Sequence, residues 1–166
     1  MWFGASVTGV QASLTISAGV TVPADQQRTW DLAVDWAMQR QWIWATTTSG
    51  GHGLGATVTG RTGIGPLGFT DTMLITEWEP PARCTVSHTG TIVRGEGSFE
   101  VRPRGDGCEF KWTERIFLPV PLLALVPDAV RPAFTRLAYA LIAPVARAGL
   151  GYCMIRFARL LAAPRP

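Results

Sequence analysis

The sequence predicts an α+β domain in which a curved, seven-stranded antiparallel sheet wraps around one long C-terminal helix, with two short helices between strands 1 and 2. Three observations carry this. Residues 132–163 are dominated by Ala, Leu, Val, Ile, Phe, Met and Arg, and Phe134, Leu137, Ala138, Leu141 and Val145 recur at three- and four-residue steps, the period of one helix face. Apart from one short helical patch, the chain before residue 132 reads as strands. A single long helix also needs something broad to cover, and a curved antiparallel sheet is its natural partner.

The elements follow in order. Leu14, Ile16, Ala18, Val20 and Val22 alternate with Ser13, Thr15, Ser17, Gly19 and Thr21, a half-buried strand closed by Pro23. Asp25 can cap the short helix that follows, with Trp30 and Val34 turned inward, and Asp35 opens a second helical turn ending near Trp42. Strands are expected at 44–48, 58–62, 69–78, 84–89, 94–102 and 109–118. The glycine-rich stretch SGGHGLG, the turn Gly63-Ile64-Gly65-Pro66, the pair Pro80-Pro81 and the hairpin Arg104-Gly105-Asp106-Gly107 separate most of them. Pro132 suits a first helical turn, and Asp128 could cap a slightly earlier start. Residues 1–11 match nothing downstream and read as a leader, disordered or mis-started, so the domain is set at 12–163.

Composition excludes several classes. At 166 residues with 47% hydrophobic and 16% charged residues, the chain is one domain with a filled or cavity-bearing core. The net charge of +3 rests on fourteen arginines and one lysine, scattered with both signs alternating along the strands. That pattern is a solvated surface, and no nucleic-acid partner is expected. Cys84, Cys108 and Cys153 form no CxxC pair and leave an odd count, which fits free thiols in a reducing cytoplasm. Residues 1–11 lack the charged and apolar regions of a secretory signal. Residues 137–155 are mostly apolar, but Pro144 and Arg147 interrupt them. An Arg at the centre of a spanning helix costs about 2.5–3.5 kcal/mol, so membrane anchoring through this helix stands only as an alternative.

The stretches VPADQQRTWDLAVDWAMQRQW, TEWEPPARCTVSH, RGEGSFEV and FKWTERIFLP resemble the helix-grip fold of the SRPBCC superfamily, which includes START-type lipid carriers and polyketide cyclase/dehydrase proteins, and the resemblance covers about residues 14–161. The resemblance implies a cavity between sheet and C-terminal helix that holds an apolar, lipid- or polyketide-like ligand, without a required cofactor. It implies no single reaction, because carriers, cyclases, hydroxylase domains and receptors share the fold.

Several motifs carry less than their spelling suggests. Gly51-x-Gly53-x-x-Ala56 imitates a dinucleotide fingerprint, but a strand and not a helix follows it, so a flexible hairpin loop at the cavity rim is expected. His52 and His88 are the only histidines and neither has a second ligand at zinc-like spacing, so no metal is expected. The link LPVPLLALVP (118–127) is a buried crossing, or a lid or patch that touches membrane transiently.

Strand parity is more informative. Cys84, Val86 and His88 share one face, as do Gly97, Phe99 and Val101, and Phe110, Trp112, Glu114 and Ile116. The apolar faces should meet the helix. That leaves His88 and Glu114, with Asp71 as a third candidate, as polar intruders that must find partners or neutralise. A ligand site is therefore expected at Trp44, Asp71, Met73, Val86, His88, Phe99, Trp112, Glu114, Phe134 and Leu141. If the protein is a cyclase or dehydratase, His88 and Glu114 are its acid and base. Two finer expectations follow. A turn centred on Ile92-Val93 puts His88 opposite Gly97, itself opposite Glu114. The apolar stripes of the two helix halves are nearly half a turn out of phase, so the helix should bend or break between Pro144 and Gly151.

Overall fold

The computed structural model describes residues 13–117 and 125–163. The expected leader at 1–11 and most of the 118–127 link lie outside these residues. The elements run β1 (Ser13–Val22), α1 (Gln26–Val34), a short 3-10 helix (Met38–Gln41), β2 (Thr46–Gly50), β3 (Thr57–Ile64), β4 (Leu67–Glu79), β5 (Arg83–His88), β6 (Arg94–Arg104), β7 (Gly107–Phe117) and α2 (Arg131–Ala162). All seven strands form one antiparallel sheet in the order β1-β7-β6-β5-β4-β3-β2. This is the α+β helix-grip architecture, with both short helical segments between β1 and β2.

Local chemistry explains the boundaries. Asp25 Oδ1 accepts from the Arg28 backbone N–H at 2.7 Å and caps α1, whose Trp30 and Val34 are buried. Asp35 Oδ1 likewise accepts from Met38 N at 3.1 Å and starts the 3-10 turn. In β4 the register slips between Ile75 and Glu77, a bulge that lets odd-numbered Met73 and Ile75 and then even-numbered Trp78 all face the core. The second strand begins two residues later than expected because Ala45 takes a left-handed φ of 49°. Asp128 does not cap α2. Its carboxylate instead pairs with Arg131 at 2.6 Å, and Val130 is the N-cap.

The core gathers around Trp42, which is fully buried and meets Phe99, Phe110, Trp112 and Phe157 with ring centroids 5.0–6.0 Å apart. Phe157 stacks on Phe110 at 4.1 Å and fixes the distal half of α2 to the sheet. Leu150, Cys153, Met154 and Leu161 bury beside it.

Of the expected bend or break, the break does not occur. The helix is uninterrupted through Pro144, and along its whole length one face turns inward, made of Thr135, Ala143, Leu150, Cys153, Met154, Phe157 and Leu161. The two stripes are indeed out of phase, but only the distal one is buried. Its aromatic anchor sets the rotation of the helix, and the proximal stripe is carried to the outside, with Leu137 61%, Leu141 68% and Val145 74% exposed. Pro144 is tolerated because the carbonyl it leaves unbonded, on Ala140, belongs to an exposed residue that water can reach.

Candidate functional site

A cavity of about 200 Å³ opens on the concave side of the sheet. Its deep walls are apolar, formed by Val58, Met73, Cys84, Val86, Phe99 and Trp112. Trp36, Gln39 and Ile43 close it from above. Gln39 is held there by its side-chain amide, which donates to Ala33 O at 3.0 Å. No described α2 residue lines the cavity, which corrects the expectation of a pocket between sheet and C-terminal helix. The 36–43 segment contributes Trp36, Gln39 and Ile43 to the lining instead.

One polar knot interrupts the apolar wall. His88 stands at the end of β5, between Asp71 on β4 and Glu114 on β7. Its Nδ1 meets Asp71 Oδ2 at 2.5 Å and its Nε2 meets Glu114 Oε2 at 3.1 Å. Trp112, two residues before Glu114 and so on the same face, donates its indole N–H to Glu114 Oε1 at 2.6 Å. The side chains of His88, Asp71 and Glu114 are 9%, 10% and 13% exposed. Burial pulls the imidazole toward neutrality, but the hydrogen bonds and charges of Asp71 and Glu114 outweigh it, and the pKa rises to about 9. At neutral pH His88 is therefore an imidazolium donating from both ring nitrogens, one cation between two carboxylates.

Two glycines make room for this knot. A Cβ on Gly97 would lie 2.7 Å from Glu114 Oε1, and one on Gly90 would collide with Asp71 Oδ1. The expected register between β5 and β6 is corrected here: His88 faces Gly95, and it is Val86 that faces Gly97. The slip is two residues, because the connection 89–93 is longer than a tight hairpin. A two-residue slip preserves the face, so His88 and Glu114 still meet diagonally.

Of the ten residues expected at a site, Asp71, Met73, Val86, His88, Phe99, Trp112 and Glu114 line this cavity. Three do not. Trp44 is 60% exposed, in the left-handed turn before β2. Leu141 is carried outward with the proximal stripe, and Phe134 lies on that same half of α2 away from the lining. Sequence reasoning missed Trp36, Gln39 and Ile43; the signal was an apolar pair, Trp42-Ile43, too large for an exposed linker. The glycine-rich loop is pinned beside α1, with Trp36 Nε1 donating to Gly51 O at 2.8 Å and His52 stacked on Trp36.

The curved sheet, its covering segment and the C-terminal helix define a helix-grip domain of the SRPBCC superfamily. Within it, the chain belongs to the polyketide cyclase/dehydrase and lipid transport family, whose sequence model matches residues 13–149. No curated protein matches it. Among solved structures, TTHA0849 from Thermus thermophilus is similar with a TM-score of 0.68 at 16% identity, over 89% of this chain and 97% of that one. Protein MLL2253 from Mesorhizobium loti has a TM-score of 0.63 at 13% identity, over 89% and 96%. The di-domain ARO/CYC BexL from the BE-7585A biosynthetic pathway has a TM-score of 0.60 at 16% identity, over 93% of this chain but 51% of that one. At these identities the likeness is one of fold.

Proposed function

We propose that this protein binds an apolar or amphipathic small molecule in the concave cavity, with the ligand's polar end toward the Asp71–His88–Glu114 knot. The observation that carries this reading is the contrast within one cavity: walls of Val, Met, Phe and Trp side chains that end on a single, internally bonded cluster of charge. Apolar pockets with few, convergent polar groups are how proteins hold and orient small hydrophobic ligands. Membership of a family described by lipid transport as well as cyclisation supports the class of ligand. Native mass spectrometry of gently purified protein should show a retained small molecule, and the fluorescent probe 1-N-phenylnaphthylamine should bind and be displaced by it. Protein that never carries a ligand and never brightens the probe would refute the reading.

Catalysis is the second reading, favoured by one observation. His88 stays protonated at neutral pH beside an apolar chamber, so it can serve as an acid, with Glu114 as its base partner. Fold likeness to BexL points the same way. Both ring nitrogens of His88 are already bonded to carboxylates, however, which suits a fixed charge better than a moving proton. Glu114→Gln separates the two: it should alter ligand retention in a carrier, and abolish turnover with retention intact in a cyclase or dehydratase.

A further inference from the structure

Along α2 runs an apolar stripe, from its proximal half past its middle, that nothing among the described residues covers. Projected down the helix, Leu137, Leu141, Val145, Tyr152 and Ile155 fall on one side, opposite the buried face, and are 49–74% exposed. The stripe runs for about 27 Å at 1.5 Å per residue. Arg131 and Arg156 lie along one edge of it, and Arg159 continues its line at the distal end. Arg136 and Arg147 stand between its other edge and the buried face, and α2 contains no Asp or Glu. Apolar patches of this length on a soluble domain mark a contact surface.

The surroundings decide which contact. Tyr139 Oη donates to Ile116 O at 3.5 Å, so this half of the helix stands beside Ile116, which is part of the cavity lining. The exposed Ile64 and Leu67 of the β3–β4 turn and Ile92 of the β5–β6 connection lie at the same end of the sheet. Arg61, Arg94 and Arg115 are also there, while the surface carboxylates of that end are Glu96 and Asp128. Over the rest of the described surface acidic side chains outnumber basic ones. The positive excess therefore lies at this end and along α2, with Arg61, Arg94 and Arg115 on the outer face of the sheet and the helix arginines bordering the apolar stripe.

We propose that this face docks the protein on an anionic lipid surface, with α2 lying in the headgroup boundary and the cavity lining at Ile116 beside it. A stripe of large apolar residues bordered by arginines is the pattern of an interfacial helix, whose arginine stems lie along the apolar surface while their charges meet lipid phosphates. The helix does not span, because its other face holds the core through Phe157, Met154 and Leu161. A second copy of the chain is the poorer occupant, since pairing two such faces would bring the arginines that border one stripe against those of the other, and α2 itself carries no carboxylate to answer them.

Sedimentation of the full chain with phosphatidylcholine vesicles, with and without phosphatidylglycerol, tests this. Binding should require phosphatidylglycerol and weaken with salt. Arg159→Gln should reduce it about fivefold, the equivalent of about 1 kcal/mol per surface arginine. Leu141→Glu with Val145→Glu should abolish it, while thermal unfolding and 1-N-phenylnaphthylamine binding stay as in the parent, because neither position touches core or cavity. Equal binding to neutral vesicles, or no binding to either, would overturn the proposal. So would a dimer in light scattering that the same double substitution dissociates. Probe binding reports the cavity separately, so loss of docking and loss of the ligand reading are told apart.

Discussion

His88 is the residue on which the site's electrostatics turn. Its folded pKa of about 9 lies above its ordinary 6.5 because Asp71 and Glu114 overcome the burial that opposes its charge. A group raised on folding contributes stability that is complete below its unfolded pKa and is lost as pH rises through its folded one. The stability gap between the parent and His88→Gln, measured by urea unfolding across pH, should thus be widest near or below pH 6.5 and close toward pH 9. A gap that widens with alkalinity would mean the imidazole is neutral in the fold. Gly97→Ala offers a second check, since its Cβ would stand 2.7 Å from Glu114 Oε1 and push that carboxylate off His88. The His88 pKa, followed by NMR, should fall in that variant. The meeting of His88 and Glu114 was legible in the sequence because period-two parity survives a register slip of two residues. Their alignment across Gly97 was not, because the length of the 89–93 connection leaves no parity signal. Asp71 was only half legible: the bulge after Ile75 shifts the phase of β4 partway along the strand.

Among the elements, α2 shows most clearly what a sequence pattern can and cannot say. Periodicity identified the helix and both of its apolar stripes. It could not say which stripe the sheet would take, because hydrophobicity alone ranks Leu137, Leu141 and Val145 with Leu150, Met154 and Leu161. Aromatic stacking of Phe157 on Phe110, and the edge contact of Phe157 with Trp42, decided it. Truncation should expose the difference. Phe157→Ala removes a fully buried ring and should cost about 3–5 kcal/mol in urea unfolding. Leu141→Ala removes an exposed side chain and should stay within about 0.5 kcal/mol of the parent. Equal losses at the two positions would mean that the proximal stripe packs inside the protein after all.

For the molecule as a whole, the three cysteines report on the integrity of the fold. They are free and buried on three different elements: Cys84 on β5, Cys108 on β7 and Cys153 on α2. β6 lies between β5 and β7, and two strand spacings of about 4.8 Å exceed the roughly 7 Å that a disulfide can bridge. Burial raises all three thiols, with Cys84 pushed up to about 12 by loss of solvent and by the nearby charge of Glu77. Thiolate is the reactive form, so none should be alkylated quickly while the chain is folded. Alkylation should instead track opening of the structure and reach three thiols per chain in denaturant. Cys84 also lines the cavity. A ligand bound there stabilises only the folded state, by mass action, and so should slow the labelling of all three cysteines together when opening is global. Slowing confined to Cys84 would instead mean that the ligand shields the cavity wall directly while the rest of the fold opens independently. Finding a single free thiol in denaturant without reductant would overturn the strand order on which the whole site is built.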